Sequence, residues 1–453
     1  MFRCAFFESD ITPPLYHNMP GYFSERLAED VLDKLYAKAF VCCGSNGVKT
    51  AMVAIDANMI PEEIVVAAKK RIADHTDIPT ENISVSATHN HNGGPTVSWG
   101  KLVRQEDSYM AFVADKAADA VIVANRHLRP ARIGYGCGRV DDISFHRIYE
   151  MKNGTLQTNP GVHNPDVVRP AGPIDPDVTV LRVDDAETGK PLGAVTNFAC
   201  HLDCVDRMAY SGDYAAALSD ELKDAYGHRF VSVFFVGTCG NINHFDVFGG
   251  KHTAPDYYRY MGKRLGDEVK RVFDSCEYSQ DDTADTFRTV LTIPKRRVPE
   301  SEIPELKRIT ETVTLHEHEV IGSQSDPDQL KAVFAYDLLN YIKTQDEDKE
   351  VPVQFVRLGD NAFYELPGEV FVQFGQKIKR ESPFRHNFIL TNSNGLYGYL
   401  PLRELFMPTV YESKLGCTSY LDPEAGDRVT DAALEMAKEA FSRGKTGHGP
   451  EGK

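Results

Sequence analysis

One stretch, residues 83–95, limits the fold of this chain more than any other. It reads Ile-Ser-Val-Ser-Ala-Thr-His-Asn-His-Asn-Gly-Gly-Pro. Its first half alternates small and β-branched residues as a short buried strand does, and its second half consists of residues that end strands. His89 and His91 therefore leave the chain where a strand passes into a loop. In an extended segment, side chains two residues apart point to the same side, so both imidazoles are expected to face one crevice.

The position of this pair favours a functional site, because α/β proteins bind ligands beyond the carboxyl ends of their strands. One imidazole could bind a metal while the other acts on a substrate. A pair of polar side chains in a solvated loop is an equally simple interpretation. His89 and His91 alone do not decide between the two.

The rest of the chain repeats the pattern of a buried strand followed by a polar loop, most clearly at residues 193–201, 231–243 and 388–399. A hairpin is predicted over residues 35–55, and an ordered surface loop over residues 153–174. Helices are predicted over 61–73, 106–125, 213–226, 254–273 and 430–442, and another is expected to start at Pro367-Gly368-Glu369. This alternation predicts an α/β fold of mixed sheets with flanking helices.

We expect a single domain over residues 1–445. Within it, residues 299–348 are charged and poor in aromatic residues, and they are predicted to form a helical excursion outside the core. Residues 446–453 are predicted to be a disordered tail.

The charge of the chain excludes some classes of partner. A net charge of −16 and a pI of about 5.4 do not suit a surface that binds nucleic acid or anionic lipid. The start of the chain lacks a signal-peptide pattern, and the odd number of cysteines, nine, is typical of a reducing compartment. We therefore expect a cytoplasmic protein that acts on a small molecule, without stable membrane association. The oligomeric state stays open.

Four side chains at strand ends suggest a metal centre: His89, His201, Glu369 and Tyr399. Two imidazoles, a carboxylate and a phenol, with room for water, suit a catalytic zinc ion. From the residues alone, this is one assembly among several.

An ordered set of motifs adds a resemblance to a known family. Residues 10–14 (Asp-Ile-Thr-Pro-Pro), 89–95, 211–213 (Ser-Gly-Asp), 366–369 (Leu-Pro-Gly-Glu), 397–399 (Tyr-Gly-Tyr) and 411–413 (Tyr-Glu-Ser) together resemble the catalytic domain of the neutral/alkaline ceramidases. The resemblance extends from about residue 4 to about residue 415. It implies the ceramidase catalytic-domain fold. It also implies a zinc ion held by His89, His201, Glu369 and Tyr399, with the catalytic residues His91, Arg147 and Tyr411 around the scissile amide.

The chain departs from the family at one motif. Where many members read Gly-Asp-Val-Ser-Pro-Asn, residues 240–245 read Gly-Asn-Ile-Asn-His-Phe. Asn243 stands at the serine position and cannot attack a carbonyl, so hydrolysis here must use water activated by a metal. Asn243, His244 and Trp99 are the candidate substrate-binding residues. The secreted members carry a signal and a C-terminal β-sandwich domain; we expect neither in this protein, which favours a soluble substrate over membrane ceramide.

The leading hypothesis is a zinc-dependent amidohydrolase that cleaves an amide bond, with an N-acyl compound as substrate. Two alternatives remain open. The same site could cleave an ester or a lactone, or the chain could be a binding protein that kept the fold and lost catalysis. Turnover of amide and ester substrates by the metal-loaded protein distinguishes the three.

Overall fold

The computed structural model describes residues 1–250, 254, 256–316 and 327–446. Residues 317–326 of the predicted excursion and 447–453 of the predicted tail lie outside this set; Thr446 ends the last helix. The helices are α1 (Glu62–His75), α2 (Asp107–Arg126), α3 (Asp213–Tyr226), α4 (Tyr257–Asp274), α5 (Ile303–Thr312), α6 (Pro327–Tyr341), α7 (Val372–Glu381) and α8 (Ala425–Thr446). The strands are β1 (Arg3–Asp10), β2 (Asp30–Val31), β3 (Tyr36–Cys43), β4 (Lys49–Ile55), β5 (Ile83–Ala87), β6 (Arg129–Arg139), β7 (Phe145–His146), β8 (Ile148–Met151), β9 (Leu156–Thr158), β10 (Val167–Pro170), β11 (Asp177–Asp185), β12 (Pro191–Phe198), β13 (Ala209–Tyr210), β14 (Val231–Val236), β15 (Ile242–Asn243), β16 (Glu277–Tyr278), β17 (Ala284–Ile293), β18 (Lys349–Leu358), β19 (Asn361–Glu365), β20 (Glu369–Val370), β21 (His386–Leu390) and β22 (Tyr399–Leu400).

Strands of alternating hydrophobicity build one large sheet with the order β14-β12-β11-β6-β1-β3-β4-β5, and β16 pairs with β6. The predicted hairpin over residues 35–55 is confirmed as the antiparallel pair β3–β4. Two pairs are parallel, β4–β5 and β12–β14. These two parallel pairs lie towards opposite ends of the strand order, and β5 and β12 are the strands that precede the histidines.

The two faces of this sheet bury different layers. One face packs against α1 and α2 over one half and against α3 and α4 over the other. The opposite face packs against a second sheet of order β17-β18-β19-β21, and α7 and α8 cover the outside of that second sheet. Four layers result, helices, sheet, sheet and helices, and the prediction of an α/β fold with mixed sheets is confirmed.

The chain that follows β21 joins the two ends of the large sheet. The amide of Thr391 donates to the carbonyl of Val236, at the end of β14. One residue later, the carbonyl of Asn392 accepts a hydrogen bond from the amide of Ala87, at the end of β5. The carboxyl ends of distant strands are therefore held at one place, where the polar loops begin.

Some local predictions were wrong. The predicted surface loop over residues 153–174 contains β9 and β10, which pair with β8 in a small sheet. Glu369 does not begin a helix, because it lies in β20 and α7 starts only at Val372. Within residues 299–348, the described part forms α5 and α6, which pack together with Phe23 and Leu102. Among the described residues, no helix combines the length and the apolar character needed to cross a lipid bilayer.

Candidate metal centre

The end of β5 turns sharply at His89. After Ala87, the amides of Thr88 and Asn90 donate to the carbonyls of Ile55 and Ala57, so the chain stays bound to the end of β4. His89 itself has a φ of 65°, a left-handed conformation that is uncommon for a residue with a side chain. The expectation of an extended segment was wrong here. Even so, the rings of His89 and His91 lie in contact, with centroids 4.9 Å apart.

A bridge between two loops brings the third imidazole close. Asn90 pairs with Leu202 as an isolated parallel bridge, and the amide of His91 donates to the carbonyl of Leu202 at 2.9 Å. His201 follows β12, next to this bridge. The centroids of its ring and the His89 ring are 4.5 Å apart. The loops after two strands far apart in the sheet therefore place three histidines side by side.

Glu369 and Tyr399 reach the same place on a pair of short strands. β20 and β22 are parallel, and Glu369 is the register partner of Tyr399. The preceding Gly368 has a φ of 69°, and a Cβ there would lie 2.3 Å from the carbonyl oxygen of Gly398. Only glycine allows this approach of the two backbones. The close pairing carries the carboxylate and the phenol to the edge where the histidines lie.

Backbone carbonyls determine which nitrogen of each imidazole carries the proton. Nδ1 of His89 lies 3.1 Å from the carbonyl oxygen of Asn58, and Nδ1 of His201 lies 2.9 Å from that of Ile242. A carbonyl only accepts, so the Nδ1 atoms donate and the Nε2 atoms carry the lone pairs; the lone pair of His201 also accepts from Nη1 of Arg147 at 3.1 Å. Each Nε2 lies 3.2 Å from Oε2 of Glu369. Three lone pairs therefore converge inside the protein, and Oε2 of Glu369 has no hydrogen-bond donor among the described residues.

The electrostatics of these groups follow from their burial. Burial, Arg147 and His89 together lower the pKa of His201 to about 4. Burial and His89 also lower the pKa of His91 well below its usual value. For Glu369, burial opposes the charged form, but the attraction of His89 and His201 outweighs it and the pKa lies well below the usual range. The neutral imidazoles of His91 and His201 therefore lie beside an ionised carboxylate, the protonation states that metal ligation requires.

The distances between these ligand atoms match those around a tetrahedral metal ion. Ligand atoms about 2.0–2.1 Å from a four-coordinate zinc ion lie about 3.3 Å from one another. Nε2 of His89 and Nε2 of His201 each lie 3.2 Å from Oε2 of Glu369. The ligand atoms of His89, His91 and His201 are all within 4.8 Å of one another. The residues present therefore fit a four-coordinate metal ion.

Arg147 lies beside this cluster and is held on three sides. Its Nε donates to Oε1 of Glu412 at 2.5 Å, its Nη2 donates to the carbonyl of Gly240 at 2.7 Å, and its Nη1 lies 3.1 Å from Nε2 of His201. The guanidinium is 5.4 Å from the centre of the Tyr399 ring. Glu412 is fully buried. Sequence reasoning missed its role, although it noted the Tyr411-Glu412-Ser413 motif, which was the available signal.

Tyr411 lies in a short 3-10 helix on the other side of Tyr399, with the two ring centroids 5.8 Å apart. Its amide donates to Oγ1 of Thr158, whose hydroxyl donates to Oε2 of Glu412. Burial and Glu369 raise the pKa of the Tyr411 phenol, which therefore stays protonated and can donate a hydrogen bond. The same buried acid thus positions both Arg147 and Tyr411.

The three predicted substrate-binding residues have partners of their own in the structure. The amide of Asn243 donates to Oδ1 of Asn159. Nδ1 of His244 lies 2.9 Å from Oδ1 of Asp203. Trp99 packs with Met59, Val97 and Val103, and it lines a separate cavity of about 470 Å³. Their roles in binding substrate stay predictions.

A loop that sequence reasoning did not assign to the site covers His91. The ring of Tyr22 lies edge-on to the His91 ring, with centroids 5.4 Å apart. Arg26 lies over the Tyr22 ring and donates to the backbone carbonyl of His91 at 2.7 Å. Gly21 approaches so closely that a Cβ there would lie 2.7 Å from Nδ1 of His91. The sequence Met19-Pro20-Gly21-Tyr22, whose proline and glycine indicate an ordered loop, was the sequence signal for this cover.

Comparisons with known proteins agree with this architecture. Residues 3–243 match the family described as neutral/alkaline non-lysosomal ceramidase, N-terminal. A neutral ceramidase of Oryza sativa subsp. japonica is 25% identical over 228 residues, 48% of this chain and 28% of that protein. Neutral ceramidase B of Dictyostelium discoideum is 25% identical over 248 residues, 51% of this chain and 33% of that protein. The matched part of the chain thus spans about a third or less of the length of these relatives.

The fold of the whole described chain resembles a solved structure. The crystal structure of neutral ceramidase from Pseudomonas aeruginosa superposes with a TM-score of 0.74, at 19% identity, over 98% of this chain and 75% of that one. This likeness includes the strands that carry Glu369 and Tyr399, which lie beyond residue 243. The family match itself covers more than half of the 453 residues, and the protein therefore belongs to the neutral/alkaline non-lysosomal ceramidase family.

Proposed function

We propose that this protein is a zinc-dependent hydrolase that cleaves the amide bond of an N-acyl compound. The observation that carries the proposal is the convergence of three buried lone pairs, on Nε2 of His89, Nε2 of His201 and Oε2 of Glu369. Without a cation, such an arrangement is costly, because Oε2 of Glu369 finds no donor among the described residues although both nitrogens lie 3.2 Å from it. Family membership supports the choice of an amide as the bond.

In this proposal, His89, His201, Glu369 and Tyr399 hold the zinc ion. When bound, zinc supplies a Lewis acid that makes water nucleophilic near neutral pH. The neighbours Asn58 and Ile242 fix the two imidazoles through their carbonyl oxygens, which is the usual outer support of zinc ligands. Tyr399 reaches the centre through its register with Glu369.

The remaining residues handle protons and charge. His91, neutral and beside His89, accepts the proton of the attacking water and returns it to the leaving amine. Arg147 and Tyr411 donate hydrogen bonds to the oxygen on which negative charge develops, each worth about 3–4 kcal/mol in comparable sites. Glu412 holds both donors in place before substrate arrives.

The substrate is a small N-acyl molecule, which we expect to be water-soluble, in a cytoplasmic enzyme. Asn243 supports chemistry through water, since its side chain has no nucleophilic atom and donates to Asn159. The net charge of −16 supports the absence of nucleic-acid and anionic-membrane partners.

Metal analysis and turnover of the His89→Ala variant test the proposal. We expect His89→Ala to lose about one equivalent of zinc relative to wild type and to lose hydrolysis of N-acyl substrates. His75→Ala, at the exposed end of α1, is the matched control and keeps both. Unchanged zinc in His89→Ala refutes the site. If the zinc-loaded protein hydrolyses only ester substrates, it is an esterase or lactonase and not an amidase. If it hydrolyses neither class, it is a binding protein.

A further inference from the structure

A second group of ligand-type side chains lies near the first. One ligand atom each from Asp203, Cys204 and His244 lies within 4.8 Å of the other two. Cys204 and His244 are buried, while Asp203 is partly exposed. Nδ1 of His244 lies 2.9 Å from Oδ1 of Asp203. None of these three atoms belongs to the cluster around His89 and Glu369.

Two loops build both groups. The loop after β12 carries His201 and, two and three residues later, Asp203 and Cys204. The segment at β15 carries Ile242, whose carbonyl accepts the Nδ1 proton of His201, and then His244. Two contacts therefore connect the loop after β12 to the segment at β15: His201 with the carbonyl of Ile242, and Asp203 with His244.

The first of these loops has a fixed shape. Oδ2 of Asp213, at the start of α3, accepts hydrogen bonds from the amides of Cys204 and Val205 at 2.8 and 3.2 Å. Asp213 adopts a φ of 54°, and Tyr214 binds its other oxygen. The positions of Asp203 and Cys204 therefore do not depend on side-chain contacts between them.

The chemistry of the three side chains selects the ion. Sulfur, imidazole and carboxylate together are a donor set typical of zinc, whereas magnesium and calcium take oxygen ligands. Burial and Asp213 raise the pKa of the Cys204 thiol, whose weak bond to Sδ of Met261 is its only sulfur contact among the described residues. Zinc binding would release the thiol proton to solvent and move the His244 proton to its other nitrogen.

His244 also departs from the motif that many family members share. It occupies the position where the family motif Gly-Asp-Val-Ser-Pro-Asn has proline, a residue that cannot bind a metal through its side chain. The first metal centre does not need it. A second role therefore accounts for an imidazole buried at this position.

We propose that Asp203, Cys204 and His244 bind a second zinc ion, which fastens the loop of His201 to the segment at β15. This inference does not depend on which bond the protein cleaves. The two sites differ in one testable respect, because the second contains sulfur and the first does not.

Cobalt substitution of the full chain, stripped of metal, tests the proposal. We expect two cobalt ions to bind per chain. One of them should produce the near-ultraviolet charge-transfer band of a cobalt–thiolate bond. Cys204→Ser and His244→Ala should each lose that band and one cobalt ion. His89→Ala should lose the other ion and keep the band, so failure of the first site is distinguishable from failure of the second.

Cys137→Ser is the matched control, since Cys137 is an exposed thiol. It should keep two cobalt ions and the band. The wild-type spectrum is informative even if a variant fails to fold. A single bound cobalt without the band in wild type, or a band that survives Cys204→Ser, overturns the proposal.

Discussion

Arg147 and Glu412 form a buried ion pair between segments 265 residues apart, with Nε of the guanidinium donating to Oε1 of the carboxylate at 2.5 Å. The side chain of Glu412 is fully buried and that of Arg147 is 6% exposed. The pair connects the residue between β7 and β8 to the 3-10 helix of Tyr411. It therefore holds the two donors that we assign to the developing oxyanion.

Removal of one partner should destabilise the protein strongly. Glu412→Ala leaves Arg147 buried with an unpaired charge, and breaking such a pair typically costs about 3–5 kcal/mol of the free energy of unfolding. Urea denaturation measures this loss. The control is Glu150→Ala, which breaks the exposed pair with Arg169 and should cost no more than about 1 kcal/mol. Equal losses in the two variants would contradict the role given to Glu412.

The sequence predicted the fold class and the set of strand ends because both depend on local patterns. The apolar runs of β3 and β4, and the polar residues after β5 and β12, are visible within a few residues. No local pattern showed that Glu369 lies in a strand and not in a helix. The strand β20 exists only because it pairs with β22, and Tyr399, the partner of Glu369 in that pair, is thirty residues further along the chain. The roles of these side chains stay predictions.

Two parts of the site depend on contacts that no local pattern encodes. The turn at His89 is stabilised by the bridge from Asn90 to Leu202, and the charge of Glu412 is balanced by Arg147. Leu202 is more than a hundred residues from Asn90 in the sequence, and Arg147 is more than a hundred residues from Glu412. A buried carboxylate and a left-handed histidine become interpretable only once the loops have been brought together.

The fit of Gly21 against His91 predicts a functional defect without loss of metal. Gly21 has a φ of 131°, and a Cβ there would lie 2.7 Å from the His91 ring. Gly21→Ala should push His91 out of position and reduce turnover on the order of 100-fold, the cost of a displacement of about 1 Å in a catalytic group. Gly189→Ala is the control, because it also has a positive φ, of 69°, but open space around its Cβ. Wild-type turnover in Gly21→Ala would show that His91 is not the proton acceptor.

Removal of metal should lower stability, since the lone pairs of His89, His201 and Glu369 then face one another. A chelator should therefore lower the melting temperature. Zinc added back at 100 times its dissociation constant should restore about 2.7 kcal/mol per site. Differential scanning calorimetry measures both steps, and magnesium at the same concentration is the control. An apo protein as stable as the zinc-loaded one would be incompatible with a filled centre at these residues.

Asp56 provides a pH dependence that is separate from the metal centre. Burial raises the pKa of its carboxyl to about 6 from the ordinary 3.8, although the amide of Tyr36 donates to it. Between about pH 4 and pH 6, the unfolded chain loses this proton while the folded protein keeps it. The raised pKa of Asp56 therefore contributes to the free energy of unfolding fully below about pH 4. This contribution, roughly 3 kcal/mol at most, is lost as the pH rises through 6.

Asp56→Asn removes this titration and keeps an acceptor for the amide of Tyr36. The variant should therefore gain stability relative to wild type as the pH rises from about 4 to about 7, because the charged carboxylate destabilises only the wild-type fold. Urea midpoints of both proteins at the two pH values measure the difference in stability between variant and wild type. The titration of the other buried acids affects both proteins equally and cancels in this difference. Asp224→Asn, on the exposed side of α3, should follow wild type at both. A difference between Asp56→Asn and wild type that stays constant, or that shrinks as the pH rises, would mean that Asp56 is already ionised in the folded protein at pH 4.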